Sequence, residues 1–176
     1  MHASPVTPDV FRQAMSHFAS GVTVVTTIAG GEPHGLTVSA FCSISLQPPL
    51  VLVSLRRSSR TLPAIEQSRC FAVNLLTARQ RLLATRFALA DRQSALFHDV
   101  PHHRGTRLHE VALFDEALSR IECRVAGRYP GGDHVLLLGE VMAIESTAEG
   151  SDDEPLIAYG SAFRSLRAQA HIPDTP

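Results

Sequence analysis

The chain predicts a mainly β fold, an antiparallel barrel with a few helices. Three observations carry that expectation. Short runs rich in Val, Ile and Thr recur along the 176 residues, a composition that suits pleated, half-buried strands. Turns bearing Gly and Pro separate them, as in hairpins. The βαβ alternation of a parallel sheet is missing, and no G-x-G-x-x-G follows a strand, which argues against a Rossmann site.

The first element reads as a short helix. Thr7 can cap it, Pro8 fits its first turn, and Val10, Phe11, Ala14, Met15 and Phe18 recur at helical spacing before Gly21 closes it. Val22 to Ile28 reads as a strand, with Ala29-Gly30-Gly31-Glu32 as a hairpin turn. Gly35 to Phe41 follows as a strand that sets Thr37 and Ser39 on one face. After a Gln47-Pro48-Pro49 turn comes a near-continuous apolar strand, Leu50 to Leu55, leading into Arg56 and Arg57. Thr61 to Gln67 reads as a helix and Cys70 to Leu75 as a strand. Thr77-Ala78-Arg79-Gln80 fits a capping box that opens a helix through about Ala88, with Leu82, Leu83 and Phe87 as its buried face.

From Asp91 to Glu110 the segment is polar, His-rich and without period. It reads as a long loop, with a mobile lid as its functional reading. Ala117 to Tyr129 and His134 to Ser146 are long strands joined by Pro130-Gly131-Gly132-Asp133. Glu149 to Glu154 is an acidic turn, and Pro155 to Tyr159 a last short strand. Residues 8–168 thus make one domain, with 1–7 and 169–176 as flexible termini.

Hydrophobic residues make up 44% of the chain and the formal charge is -1, with a mean hydropathy of +0.06. That describes a globular protein with no basic field to hold nucleic acid. Cys42, Cys70 and Cys123 have no C-x-x-C spacing and an odd count, so each is expected to be a small buried hydrophobe. The N-terminus lacks the basic and apolar regions of a secretory signal, and no apolar run approaches the roughly 18 residues of a membrane span. The expectation is a soluble cytoplasmic protein. His98, His102, His103 and His109 fit no metal motif, so no metal is expected. No G-x-S-x-G elbow supports a serine hydrolase.

Two clusters carry candidate chemistry. Thr37, Val38, Ser39 and Ala40 offer backbone amides and small hydroxyls beside an apolar wall, which suits a planar ring with one polar edge. Arg56, Ser58, Ser59, Arg60 and Thr61 lie between a strand end and a helix start, where orphan amides and guanidinium groups favour an anion. Together they suggest a flavin mononucleotide pocket. The plain alternatives are an ordinary edge strand and a solvated basic loop.

GLTVSAFCSISLQPPLVLVSL (35–55) resembles the short-chain flavin reductases, the reductase components of two-component flavin-dependent monooxygenases. So do FAVNLL (71–76), the helix from Gln80 ending in RFA, IECRV (121–125), GDH (132–134) and PLIAYGSAFRSL (155–166). The resemblance runs from about Phe11 to Leu166. It implies the FMN-binding split barrel, a Greek-key barrel that dimerises with flavin near the subunit interface. It implies an NAD(P)H:flavin oxidoreductase, in which NADH or NADPH passes a hydride to flavin N5. Reduced FMN, or FAD, would then go to a partner monooxygenase.

The resemblance also implies site residues. Thr37 to Ala40 would lie along the flavin ring with Ser54 and Leu55. Arg56, Ser59, Arg60 and Thr61 would hold the phosphate. Asn74 and Leu75 would approach the ring or ribityl chain, with Phe87 near the cofactor. His134 would position nicotinamide, and Tyr159 with Phe163 would cover the same opening. Asn74 could instead pin a neighbouring turn. A non-catalytic flavin-binding module, an oxidase of the pyridoxamine-phosphate type and a ligand-free structural dimer are the rival classes.

Overall fold

A computed structural model describes residues 6–89, 94–108, 111–147 and 153–166. Most of both expected flexible termini and of the acidic turn at 149–154 lies outside them. In chain order the elements are α1 (Pro8–Met15), β1 (Ser20–Gly21), β2 (Thr23–Ala29), β3 (Glu32–Val38), β4 (Phe41–Leu46) and β5 (Pro49–Arg56). There follow α2 (Thr61–Ser68), β6 (Cys70–Leu75), α3 (Arg81–Ala88), β7 (His102–Arg104) and β8 (Ala112–Phe114). The last are β9 (Ser119–Gly131), β10 (His134–Ser146), β11 (Leu156–Tyr159) and β12 (Ala162–Ser165).

Seven strands form one antiparallel sheet in the order β3-β2-β6-β9-β10-β5-β4. Hairpin partners stay adjacent, while β6 returns beside β2 and β5 lies against β10, so the path is a Greek key. The Ser54 amide donates to the Ala40 carbonyl at 3.0 Å, which carries the β4–β5 ladder one pair past Phe41 and Val53 and sets Ala40, just beyond the end of β3, beside β5.

Strand alternation decides what lies inside. On β5, Val51, Val53 and Leu55 are buried, while Leu50, Leu52 and Ser54 are only half-buried. The inward set packs with Val25, Ile65, Phe71, Val73, Val135 and Leu137, and each such side chain contributes about 1.5–3 kcal/mol on burial. Gly139 is required in this core, because a Cβ there would stand 2.5 Å from the Phe71 ring. A second core under α3 gathers Val24, Leu76, Phe87, Phe97, Phe114 and Leu156. Phe87 meets Phe97 edge-on at 5.1 Å.

Turn chemistry follows the hairpins. Gly30 and Gly31 both have positive φ, +61° and +81°, as a tight primed turn between β2 and β3 requires. Between β9 and β10 the loop is Gly132-Asp133, and only Gly132 has positive φ, at +68°. Thr77 and Gln80 form the expected reciprocal capping box.

Several expectations need correction. The first helix ends at Met15, and Gly21 belongs to β1, paired with β11. None of its residues is buried. Its apolar stripe faces a cleft instead of a core. The expected strand from Gly35 to Phe41 breaks at Ser39-Ala40, and β4 begins at Phe41 as a separate edge strand. Of the expected inner face of α3, Phe87 is buried and Leu83 partly so, but Leu82 is 84% exposed and Ala84 is buried in its stead. Cys42 is exposed on β4, and only Cys123 is fully buried. The His-rich segment is not a structureless loop. Leu96, Phe97 and Val100 are buried, and β7 pairs with β8. Residues 90–93 and 109–110, His109 among them, lie outside the described residues.

Candidate functional site

Two clefts meet where β3, β5 and β10 come together. The smaller, of about 560 Å³, runs along Leu36 to Ala40, past Ser54 to Arg56, and ends at Ser58 to Thr61. The larger, of about 1140 Å³, lies between the barrel mouth, α1 and the β11–β12 hairpin. Ser39, Ala40, Ser54, Arg56 and His134 line both. Both volumes suit organic ligands of cofactor size.

The smaller cleft has a polar end and an apolar wall. Its polar end is the bend between β5 and α2, where Arg56, Ser58, Ser59 and Arg60 are displayed ahead of the first turn of α2. The Ser59 hydroxyl accepts the Thr61 amide at 3.2 Å, two residues ahead of the start of α2. A helix N-terminus beside two arginines favours an anion. The wall is made by Leu36, Leu55 and Phe87, the last two almost fully buried. The break at Ser39-Ala40 leaves backbone groups outside the ladder, since extended pairing of β3 stops at Val38. Apolar wall, unladdered backbone and cationic end fit a flavin ring with a phosphate tail.

Individual residues fall into place unequally. The Thr37 hydroxyl donates to the Ala84 carbonyl at 2.6 Å, so its proton is committed to holding α3 against β3. Val38 is buried in the barrel core and meets the cleft through its backbone. Thr61 is fully buried and forms the inner end of the cleft. Tyr159 lines the larger cleft with Phe163 and not the smaller one.

Asn74 and Leu75 are not brought to either cleft. Asn74 is wholly buried. Its amide nitrogen donates to the Val24 carbonyl at 3.2 Å, to the Thr26 hydroxyl at 3.4 Å and to the Ala112 carbonyl at 3.4 Å. Its oxygen accepts the Phe114 amide at 2.8 Å. The side chain therefore stitches β8 to the barrel, the structural role left open by the sequence. Leu75 packs against the barrel core.

His134 opens β10 opposite Gly131 and Arg56. Its Nδ1 lies 2.8 Å from Asp133 Oδ1. The hydrogen bond from His134, with its charge, holds the Asp133 carboxyl below its usual range. With Nδ1 engaged by Asp133, Nε2 is the ring nitrogen left to meet a ligand. Asp133 is one of the residues that sequence reading did not select, with Phe11, Arg12 and Met15 of α1. The amphipathic stripe was visible, but a core face and a cleft face look alike in sequence.

The lid expectation is not supported, because no described residue of 94–108 lines either cleft. Among the described residues no group of His, Cys, Asp and Glu could hold a metal ion. Among them, too, no helix is long and apolar enough to cross a membrane.

Comparison with known proteins gives the same picture. Residues 15–167 match the model of the flavin reductase like domain. An NADH-dependent FMN reductase of Streptomyces nodosus subsp. asukaensis is 42% identical over 165 residues, covering 89% of this chain and 84% of the relative. The reductase component of a 4-hydroxyphenylacetate 3-monooxygenase from Thermus thermophilus is 35% identical, covering 90% and 96%. Among solved structures, an NADH:FAD oxidoreductase of Streptomyces globisporus in complex with NAD and FAD fragments superposes with a TM-score of 0.84. It is 32% identical, covering 96% of this chain and 100% of that one. With its barrel, its paired clefts and these similarities along nearly its whole length, the chain belongs to the flavin reductase like family.

Proposed function

We propose that this protein is an NADH:flavin oxidoreductase that supplies reduced flavin to a separate monooxygenase. The observation that carries the reading is the meeting of two ligand-sized clefts along Ser39, Ala40, Ser54, Arg56 and His134. A donor in one and an acceptor in the other would be in contact only along that seam. Bound flavin and nicotinamide supply the hydride chemistry themselves; the chain provides alignment and shielding from water.

In this reading Arg56 and Arg60, with Ser58, Ser59 and the first turn of α2, hold the FMN phosphate. Leu36, Leu55 and Phe87 back the ring, while the backbone from Thr37 to Ala40 meets its polar edge. FAD fits the same assignment if its adenylate extends beyond the arginine bend. His134 orients nicotinamide: its Nε2 is placed to accept the carboxamide N–H. No general acid or base is assigned, because hydride transfer itself moves no proton. A flavin-binding module without catalysis has no use for the second cleft.

The reading extends to a homodimer. Ile44 and Leu46 of β4, Tyr129 of β9 and Ile144 of β10 are more than half exposed on strands of one sheet, apolar surface that a second copy would cover. The cytoplasm, where reduced nicotinamide is regenerated, is the proposed compartment. Anaerobic stopped-flow mixing of protein, FMN and NADH tests the central claim. Flavin absorbance near 450 nm (roughly the oxidised maximum) should bleach far faster than in buffer. Bleaching at the buffer rate would refute it.

A further inference from the structure

The two consecutive arginines after β5 do different work. Arg56 lines both clefts, whereas Arg57 lines neither. Arg57 turns instead to the β9–β10 loop. Its backbone amide donates to the Asp133 carbonyl at 3.0 Å, and its Nε donates to the Gly132 carbonyl at 2.7 Å. One residue thus grips both carbonyls of a two-residue loop. The next residue in the chain is His134, whose ring is held by Asp133.

We propose that Arg57 is a positioning residue for nicotinamide binding, acting through the Gly132-Asp133 loop to set the orientation of the His134 imidazole. This rests on the reading of His134 given above. The loop needs such a brace. Gly132 sits at φ +68° with nothing within 4 Å of where its Cβ would be, so side-chain packing at that position does not hold it. Asp133 is 89% exposed, so its carboxylate is steered by the backbone that carries it. The Arg57 guanidinium supplies the restraint from outside, away from both ligands. An ammonium at the same place could reach one carbonyl but would lack the planar, fixed Nε–H.

The test uses full-length protein and the variants Arg57→Gln, Arg57→Lys and His134→Ala, with Arg124→Gln as a surface control, since Arg124 pairs with Glu140 on the barrel wall. Arg57→Gln should raise the KM for NADH about threefold to tenfold, the worth of one hydrogen bond. Its kcat and FMN dissociation constant should stay within about twofold, a change well under one hydrogen bond. Arg57→Lys should recover part of the loss, and Arg124→Gln should leave all three constants unchanged. Combined with His134→Ala, Arg57→Gln should add nothing, because both changes act through one ring.

An unchanged KM overturns the proposal. So does an equal loss of FMN binding, which would make Arg57 a phosphate ligand, and so does additivity in the double variant. If Arg57→Gln fails to fold, the Arg57→Lys variant carries the same cycle. A parent protein inactive with NADH would sink the functional reading alone. The brace would then be read by amide exchange, which should quicken at Asp133 and His134 in Arg57→Gln and not in Arg124→Gln; equal exchange in both would refute it.

Discussion

The Glu122 carboxylate accepts the Leu108 amide at 2.7 Å. It also takes the amides of Thr106 at 2.8 Å and Arg107 at 3.1 Å, and the Thr106 hydroxyl at 3.1 Å. A buried side chain of β9 thereby ties down the turn that follows β7. Gly105 allows the approach, for a Cβ there would lie 2.6 Å from the carboxylate.

Burial alone would raise the Glu122 pKa, but the amides and hydroxyl outweigh it and hold the group below its ordinary 4.5. A depressed carboxyl stabilises the fold above the unfolded value, and the benefit is lost as pH falls through the folded value. Thermal midpoints should therefore fall as pH drops below about 4.5, near the ordinary carboxylate value. Glu122→Gln should cost about 2 kcal/mol at pH 7, since it removes charge from several hydrogen bonds. Its melting curve should show a shallower acid limb; an identical limb would count against the assignment.

His103 carries the opposite sign. Its Nδ1 meets Asp115 at 2.7 Å and its Nε2 meets Glu145 at 2.9 Å. The Asp115 hydrogen bond raises its pKa above 6.5, burial opposes this, and Glu145 adds to the rise. The pair of contacts ties β7 to the end of β10 below pH 6.5 and loosens as pH rises through the folded value. An NMR titration should place the imidazole above its ordinary value, and protection factors for β7 amides should decline at alkaline pH. Asp115→Asn should lower both, and a titration unmoved by that change would contradict the clasp.

Arg56→Gln and Arg60→Gln should each weaken FMN binding about tenfold or more, the worth of a charge-assisted hydrogen bond. Riboflavin, lacking the phosphate, should lose much less. Quenching of flavin fluorescence measures both. Equal losses for the two flavins would mean that the arginine bend does not hold the phosphate.

Asn74→Leu should destabilise the protein by about 3 kcal/mol, because it strands the Phe114 amide and buried carbonyls. Folded variant should still bind FMN with near-parent affinity. A tenfold or larger loss of FMN binding without a fall in stability would restore the ligand role that its buried position contradicts.

Much of the barrel was legible because strand period and turn chemistry are local. Leu50 to Leu55 stands out as a bounded apolar run, Gly30-Gly31 marks a primed turn, and Thr77 with Gln80 closes a capping box within one turn. The His-rich segment was not, because β7 finds its partner β8 about ten residues on and its buried Leu96, Phe97 and Val100 join a distant core. Asn74 shows the same limit. Its partners Val24 and Phe114 lie 50 and 40 residues away, so nothing near it in the chain reveals the stitch. Arg56 and Arg57 stand side by side at the end of β5, and only Arg56 reaches the clefts. The signal that separates them was present, since adjacent residues at a strand end point to opposite sides.

The two clefts abut along a common seam and are lined beyond it by different elements, so flavin and dinucleotide held in them as proposed would each have its own way out. Oxidised dinucleotide need not depart before the product flavin leaves for its acceptor. Steady-state lines at varied NADH and FMN should then intersect, the pattern of simultaneous occupancy, and not run parallel as in an enzyme that shuttles one substrate at a time.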